Sequence, residues 1–474
     1  MKAFACLALL LWAALPSAAL PISAELPRGQ VVDRVTCAAD AGQSYALYLP
    51  AGYTPERKWP IVYAFDSHGN GAEITRRLRA GAERWGWIVA SSNTSSNLVP
   101  MQENFDGMRA LWADTHARFA LDDRRVYALG FSGLVRFAVT LALSAPGSLA
   151  GVIGANGGWP LGQTPAKQHD LPFFFTVGET DFAWYELHDL EEKLAAAGLP
   201  HRLEVFAGSH QWPPEELFTR AVAWMELHAL RRGLRAKDPA LIEELWNEDL
   251  ARARAFETAG RLAAAHELFA ALGRDFAGLR DTAEATEAAA RIAGSAAWQS
   301  EREARLARDR RDREYLEKVP RLFQAAPGHP SPDHLSELLT ALEIPRLQRK
   351  AKSDPDPEER LSAERVLYAV YIQTGLYLPR EYNRLGQFDR SILFLQVAAE
   401  IDPDVPHIPY RLATTYARKG NRRRALDYLE LSVEKGWDDL EAVESEPAFD
   451  AFRKNEHYRR IVEQLRRKLS AGPR

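Results

Sequence analysis

Cysteine is nearly absent, since Cys6 and Cys37 are the only two among 474 residues. Cys6 falls in an N-terminal apolar segment, so a processed chain would carry Cys37 alone, which excludes an internal disulfide framework and any cysteine-built metal site. Long apolar runs are lacking too. After the first residues no segment approaches the roughly 20 apolar residues that a membrane-spanning helix needs. Charge of one sign is not in excess: the net charge of -4 is too small to suggest a nucleic acid or an anionic membrane as partner. Phosphate and metal signatures are equally missing, with no Gly-rich loop ending in Lys-Ser/Thr and no His-Glu-x-x-His, while Gly154 to Gly158 departs from the dinucleotide fingerprint. No cofactor is therefore expected.

The first 19 residues form a unit of their own. Lys2, the apolar run Ala3 to Leu15, then Pro16, Ser17, Ala18 and Ala19 follow the pattern of a secretory signal peptide cleaved after Ala19. Export to the periplasm or the medium is the expectation. The remaining chain is long enough for two cores, with an apolar share of 46% and a charged share of 26% that are ordinary for globular protein.

From about residue 25 to residue 232, strand-like and helix-like segments alternate, which predicts an α/β domain with a mainly parallel eight-stranded sheet. Strands are expected at Val31–Cys37, Ser44–Leu49, Ile61–Phe65, Trp87–Ser91, Arg125–Leu129, Ala150–Ala155, Phe173–Val177 and Arg202–Phe206, with amphipathic helices between the later ones. Beyond Arg232 the strand signal ends. Residues 240 to 474 read as all-helical, and three segments share one spacing: Phe256, Gly260, Ala265, Phe269; Tyr382, Gly386, Ser391, Leu395; and Tyr416, Gly420, Ala425, Leu429. The last two are offset by about 34 residues, and this region resembles the tetratricopeptide-repeat family, which implies helical hairpins and a protein or peptide partner. Lys350 to Glu359, with Pro355 and Pro357, reads as an exposed linker.

The chemistry centres on Gly130-Phe131-Ser132-Gly133-Leu134, which follows a predicted strand and precedes an apolar helix. That context is the nucleophile elbow, a sharp turn that lifts the serine hydroxyl above the sheet. Leu134 stands where a small residue is usual, so the elbow forms only if the neighbouring strands leave room for it. Two strands further on, Phe173–Val177 runs into Gly178-Glu179-Thr180-Asp181, and Arg202–Phe206 runs into Ala207-Gly208-Ser209-His210. Ser, Asp, His in that order is the chain order of α/β-hydrolases, with Ser132 as nucleophile, His210 as general base and Asp181 orienting the imidazole. Asp181 also reads as a helix cap, and His210 as a turn residue beside Trp212. For the oxyanion, the backbone N–H of Gly133 is one donor, and the loop Asp66-Ser67-His68-Gly69 offers a second, with Ser67 ahead of His68. Asn93 and Asn97, and likewise Asn156 and Trp159, either border the cleft or serve only local turns and strand ends.

Tyr45 to Tyr53, Val126 to Arg136 and Gly208 to Pro213 resemble secreted bacterial α/β-hydrolases of the carboxylesterase and dienelactone-hydrolase type, including feruloyl-esterase and polyhydroxybutyrate-depolymerase relatives. The resemblance covers the first half of the chain. It implies cofactor-free hydrolysis of a small-molecule ester by Ser132, Asp181 and His210 with Gly133 in the oxyanion hole. Three functions remain open from the residues alone: a serine esterase with a helical-repeat appendage, a serine peptidase on the same fold, and a binding or scaffold protein that has lost the chemistry.

Overall fold

The apolar runs of the first half condense into a single sheet. The structure, a computed structural model, describes residues 26 to 470; the predicted signal segment lies outside the described residues. Eight strands, β1 Val31–Cys37, β2 Asp40–Tyr48, β3 Trp59–Phe65, β4 Ile88–Ser92, β5 Leu121–Phe131, β6 Gly151–Ala155, β7 Phe173–Gly178 and β8 His201–Phe206, lie in the order β1-β2-β4-β3-β5-β6-β7-β8. Only the pairs β1/β2 and β2/β4 are antiparallel, so the sheet is mainly parallel as expected. Parallel strands need crossover connections, and four helices supply them, α1 Gly71–Trp85, α2 Met101–Arg118, α3 Gly133–Ser144 and α4 Trp184–Ala196, while β6 and β7 are joined by a loop with one short 3₁₀ turn and α5 Glu215–Arg231 follows β8.

Both faces are covered, which explains why the central strands read as continuous apolar runs. On one face Val62, Val89, Leu129, Ile153 and Phe174 pack with Ile74 and Leu78 of α1 and with Phe218, Val222 and Met225 of α5. On the other, Phe137 of α3 meets Phe65 and Phe105 edge to face, with ring centroids 4.9 and 5.2 Å apart. Burying each such side chain contributes on the order of 1.5–3 kcal/mol.

The chain divides into two compact units between Leu306 and Ala307, whereas the loss of strand signal predicts a division between residues 232 and 240. The difference arises because the first helices after the sheet pack back on it. Helices α6 Pro239–Thr258 and α7 Leu262–Asp275 bury Leu241, Leu245, Trp246, Leu268 and Leu272 against Ala223, Leu227 and Leu230 of α5. A buried charge cluster sits at the same place. Arg202 of β8 donates to Asp249 and Asp275 at 2.7 Å each, Arg252 and Arg220 reach Glu204 at 2.9 and 3.0 Å, and the Trp224 indole donates to Asp275 at 2.8 Å. Burial, the largest influence, would raise the Asp275 carboxyl, but the Arg202 guanidinium, His228 and the Trp224 indole together hold the acid below its ordinary value. Helices α8 Ala283–Ala293 and α9 Ala296–Ala325 follow, the division falling inside α9.

The second unit is helical: α10 Pro332–Ala341, α11 Ile344–Ser353, α12 Pro357–Ile372, α13 Leu378–Arg384, α14 Phe388–Ile401, α15 His407–Arg418, α16 Arg422–Glu434, α17 Leu440–Ser445 and α18 Glu456–Ser470. The expected linker between Lys350 and Glu359 is instead a tight joint between α11 and α12, closed by the Asp356 side chain accepting from the Glu358 N–H at 2.9 Å.

The three segments of equal spacing form equivalent hairpin turns. Gly260, Gly386 and Gly420 have φ of 72°, 71° and 84°, a left-handed conformation that suits glycine at a helix end. In each, the next residue's N–H returns to the carbonyl of the motif aromatic, at 2.9, 2.8 and 2.9 Å for Phe256, Tyr382 and Tyr416. The small residues Ala265, Ser391 and Ala425 are fully buried where the second helix closes on the first. Among the described residues no helix is long and apolar enough to cross a membrane.

Candidate active site

The turn after β5 has the geometry of an elbow. Ser132 has φ 55° and ψ -126°, a strained conformation for a residue with a side chain, and its N–H donates to the Ala155 carbonyl of β6 at 2.8 Å. Helix α3 begins at the next residue, so the backbone reverses within one step. Gly130 is required by this reversal, because a Cβ there would lie 2.2 Å from the Leu134 carbonyl oxygen. Leu134 is itself 2% exposed, so the fold does accommodate it and the strained turn forms with leucine in place.

The three residues expected to act together are brought together. The His210 Nε2 lies 2.8 Å from the Ser132 Oγ, and its Nδ1 lies 3.0 and 3.1 Å from the two carboxylate oxygens of Asp181. Asp181 is wholly buried, and its Oδ1 also accepts from the Ala183 N–H at 2.8 Å in the turn before α4, whose own cap is Ala183, so the carboxylate is fixed in place beside the imidazole. An acceptor on Nδ1 places the ring proton there and leaves Nε2 free to take a proton from the hydroxyl. Phe131 and Phe182 flank the ring at centroid distances of 5.4 and 4.5 Å, and Trp212 stacks on Phe131 at 4.2 Å. These aromatic faces reduce the water around the base, which strengthens electrostatic interactions there.

Register brings the loop after β3 level with the turn of Ser132. Phe65 of β3 pairs with Gly130 of β5, so Ser67 and Ser132 each stand two residues beyond a matched pair. Ser67 is buried, and its hydroxyl lies 2.9 Å from His68 Nδ1. The Asp66 carboxylate shapes the loop by accepting from the N–H groups of His68 and Asn70 at 2.8 and 3.1 Å. Among the described residues no acceptor takes the backbone N–H of Ser67 or of Gly133. Two backbone donors left open beside the serine are what an oxyanion hole requires. His68 is exposed and makes only loop contacts.

The four residues left open by sequence separate into different roles. Asn93 braces the first strands, its amide donating to the Asp33 carbonyl at 3.1 Å. Trp159 packs on Phe173 with centroids 5.0 Å apart. Asn156 is more telling: it holds φ 55° at the end of β6, and its Nδ2 donates to the Gln211 carbonyl at 2.5 Å, tying the strand that supports Ser132 to the loop that carries His210. Asparagine is among the few side-chain-bearing residues that enter the left-handed region readily. Asn97 lies against Gly133. Nothing in the local sequence distinguishes Asn97 or Asn156 from a turn residue.

No protein-family model matches this chain, and no curated protein matches it. Solved structures do resemble it. An S-formylglutathione hydrolase from Staphylococcus aureus aligns over 39% of this chain and 92% of its own, at 15% identity and a TM-score of 0.32. A ferulic acid esterase aligns over 41% and 94%, at 15% identity and a TM-score of 0.31. The esterase LipW from Mycobacterium marinum aligns over 42% and 82%, at 20% identity and a TM-score of 0.33.

Proposed function

We propose that this protein is a serine hydrolase that cleaves a carboxylic ester through an acyl-enzyme on Ser132, and that it acts outside the cytoplasm after loss of a leader ending at Ala19. The observation that carries the reading is the continuous hydrogen-bonded chain from Ser132 Oγ through His210 to Asp181, mounted on a strained turn. Ser132 attacks the ester carbonyl carbon while its proton passes to His210 Nε2, the C=O electron pair moves onto oxygen, and the open N–H groups of Ser67 and Gly133 receive the oxyanion. Collapse of this intermediate expels the alcohol, which takes the proton from His210, and water then repeats the sequence on the acyl-enzyme. No metal or cofactor takes part in these steps. The helical hairpins built around Gly386 and Gly420 in the second unit belong, in this reading, to a tetratricopeptide-like array that recruits a protein or peptide.

Labelling with a fluorophosphonate tests the chemistry. The native chain should take up the probe and Ser132→Ala should not. Equal labelling of both refutes the nucleophile, and a folded native chain that neither reacts nor hydrolyses simple esters supports the scaffold reading instead.

A further inference from the structure

On the hydrolase reading just given, we infer that Asn97 is a further catalytic residue, whose side-chain amide is a third hydrogen-bond donor to the oxyanion formed at Ser132. Asn97 joins the two halves of the oxyanion hole. Its backbone N–H donates to the Ser67 carbonyl at 2.9 Å, which anchors the residue to the loop bearing one donor. Its side chain lies over Gly133, which bears the other: a Cβ built on Gly133 would meet the Asn97 Oδ1 at 2.3 Å and its Nδ2 at 2.9 Å.

The carboxamide therefore occupies the space that a side chain at position 133 would fill, in direct contact with the backbone whose N–H is open. That contact is one reason glycine stands at position 133. Asn97 is exposed, and among the described residues its side chain has no hydrogen-bond partner, so the amide is available to a ligand entering the cleft. By contrast, Asn93 four residues earlier has its amide engaged by Asp33 and Ser44.

Chemistry selects the amide N–H as the end that faces the reacting group. During attack by Ser132 the carbonyl oxygen gains a full negative charge, and a neutral donor beside it is stabilising whereas the amide oxygen would be repelled. The two ends of a carboxamide are nearly isosteric, so rotation about the last side-chain bond presents either one at little steric cost. Because the charge exists only after attack, the contribution belongs to kcat rather than to substrate binding.

Steady-state hydrolysis of a short-chain aryl ester by the full chain tests this, with thermal melts to confirm that each variant folds. Asn97→Ala should lower kcat by about 10- to 100-fold, since single oxyanion donors are worth up to about 10²–10³, and should change KM less than about threefold. Asn97→Asp keeps the shape but faces a carboxylate toward the developing alkoxide, so its kcat should fall below that of Asn97→Ala. A residue that only braces the loop would give the reverse order, because the aspartate retains its size. Gly133→Ala should impair the native chain by displacing Asn97, and should cost less in the Asn97→Ala background, where the added methyl has room. Activity of Asn97→Ala within about twofold of native, or Asn97→Asp equal to or better than Asn97→Ala, overturns the assignment while leaving the hydrolase reading intact. A native chain that turns over no ester overturns both.

Discussion

Cutting the chain where its strand signal ends should destroy the sheet domain rather than release it. A chain ending near Arg235 keeps all eight strands and α5 but loses α6 and α7, and with them Asp249 and Asp275. Arg202, 6% exposed in the intact protein, would be left on β8 without those two carboxylates. The same cut opens the Arg202 guanidinium to water beside Glu204, so losing those two pairs costs little by itself, about 0–1 kcal/mol each. Leu227 and Leu230 of α5, now 2% and 5% exposed, would face water, at roughly 1.5–3 kcal/mol each. The two leucines alone reach about 3–6 kcal/mol, a large share of the stability of a typical domain at about 5–15 kcal/mol. The assay compares soluble yield and thermal melting of chains ending at Arg235 and at Gly294, the second retaining α6, α7 and α8. The longer chain should melt cooperatively and the shorter should aggregate or lack a transition. A shorter chain melting within a few degrees of the longer one would refute the reasoning.

Other expectations concern the site and one buried histidine. Ser132→Ala and His210→Ala should each lower kcat by about 10⁴- to 10⁶-fold on an aryl ester, and the double variant should fall little further, since triad members act as a unit; additive losses would deny them a shared step. Leu134→Ala should destabilise the fold by about 2–5 kcal/mol in urea denaturation, because a fully buried side chain leaves a cavity; a neutral effect would mean the leucine is not packed as described. Burial pushes His228 down to about 4, so the folded state excludes a proton that the unfolded chain accepts near its ordinary value of about 6.5. The stabilisation is thus present above about pH 6.5 and lost as pH falls toward 4, amounting to roughly 2 kcal/mol between pH 7.5 and 5. His228→Gln should abolish that portion of the pH dependence measured by urea denaturation, and an unchanged slope would remove His228 as its source.

The sequence by itself determined the strands, the order of the chemical residues and the positions of the helical turns. These are local signals: Phe173–Val177 is apolar because both faces of its strand are covered, Ser132 sits between glycines because the reversal has no room for a Cβ at Gly130, and Gly260, Gly386 and Gly420 mark left-handed helix ends. What the tertiary structure decided depends on groups far apart in the chain. Whether Leu134 fits the elbow was settled by the packing around it, and whether α6 and α7 belong with the sheet was settled by Arg202 meeting Asp249 and Asp275. The separate roles of Asn93, Asn97 and Asn156 emerged in the same way, since an amide has the same local propensities whether it braces a strand, lies over Gly133 or ties down the loop of His210. Backbone conformation is written in neighbouring residues, whereas the partner of a buried charge or an amide is chosen only when distant segments are brought within hydrogen-bonding distance.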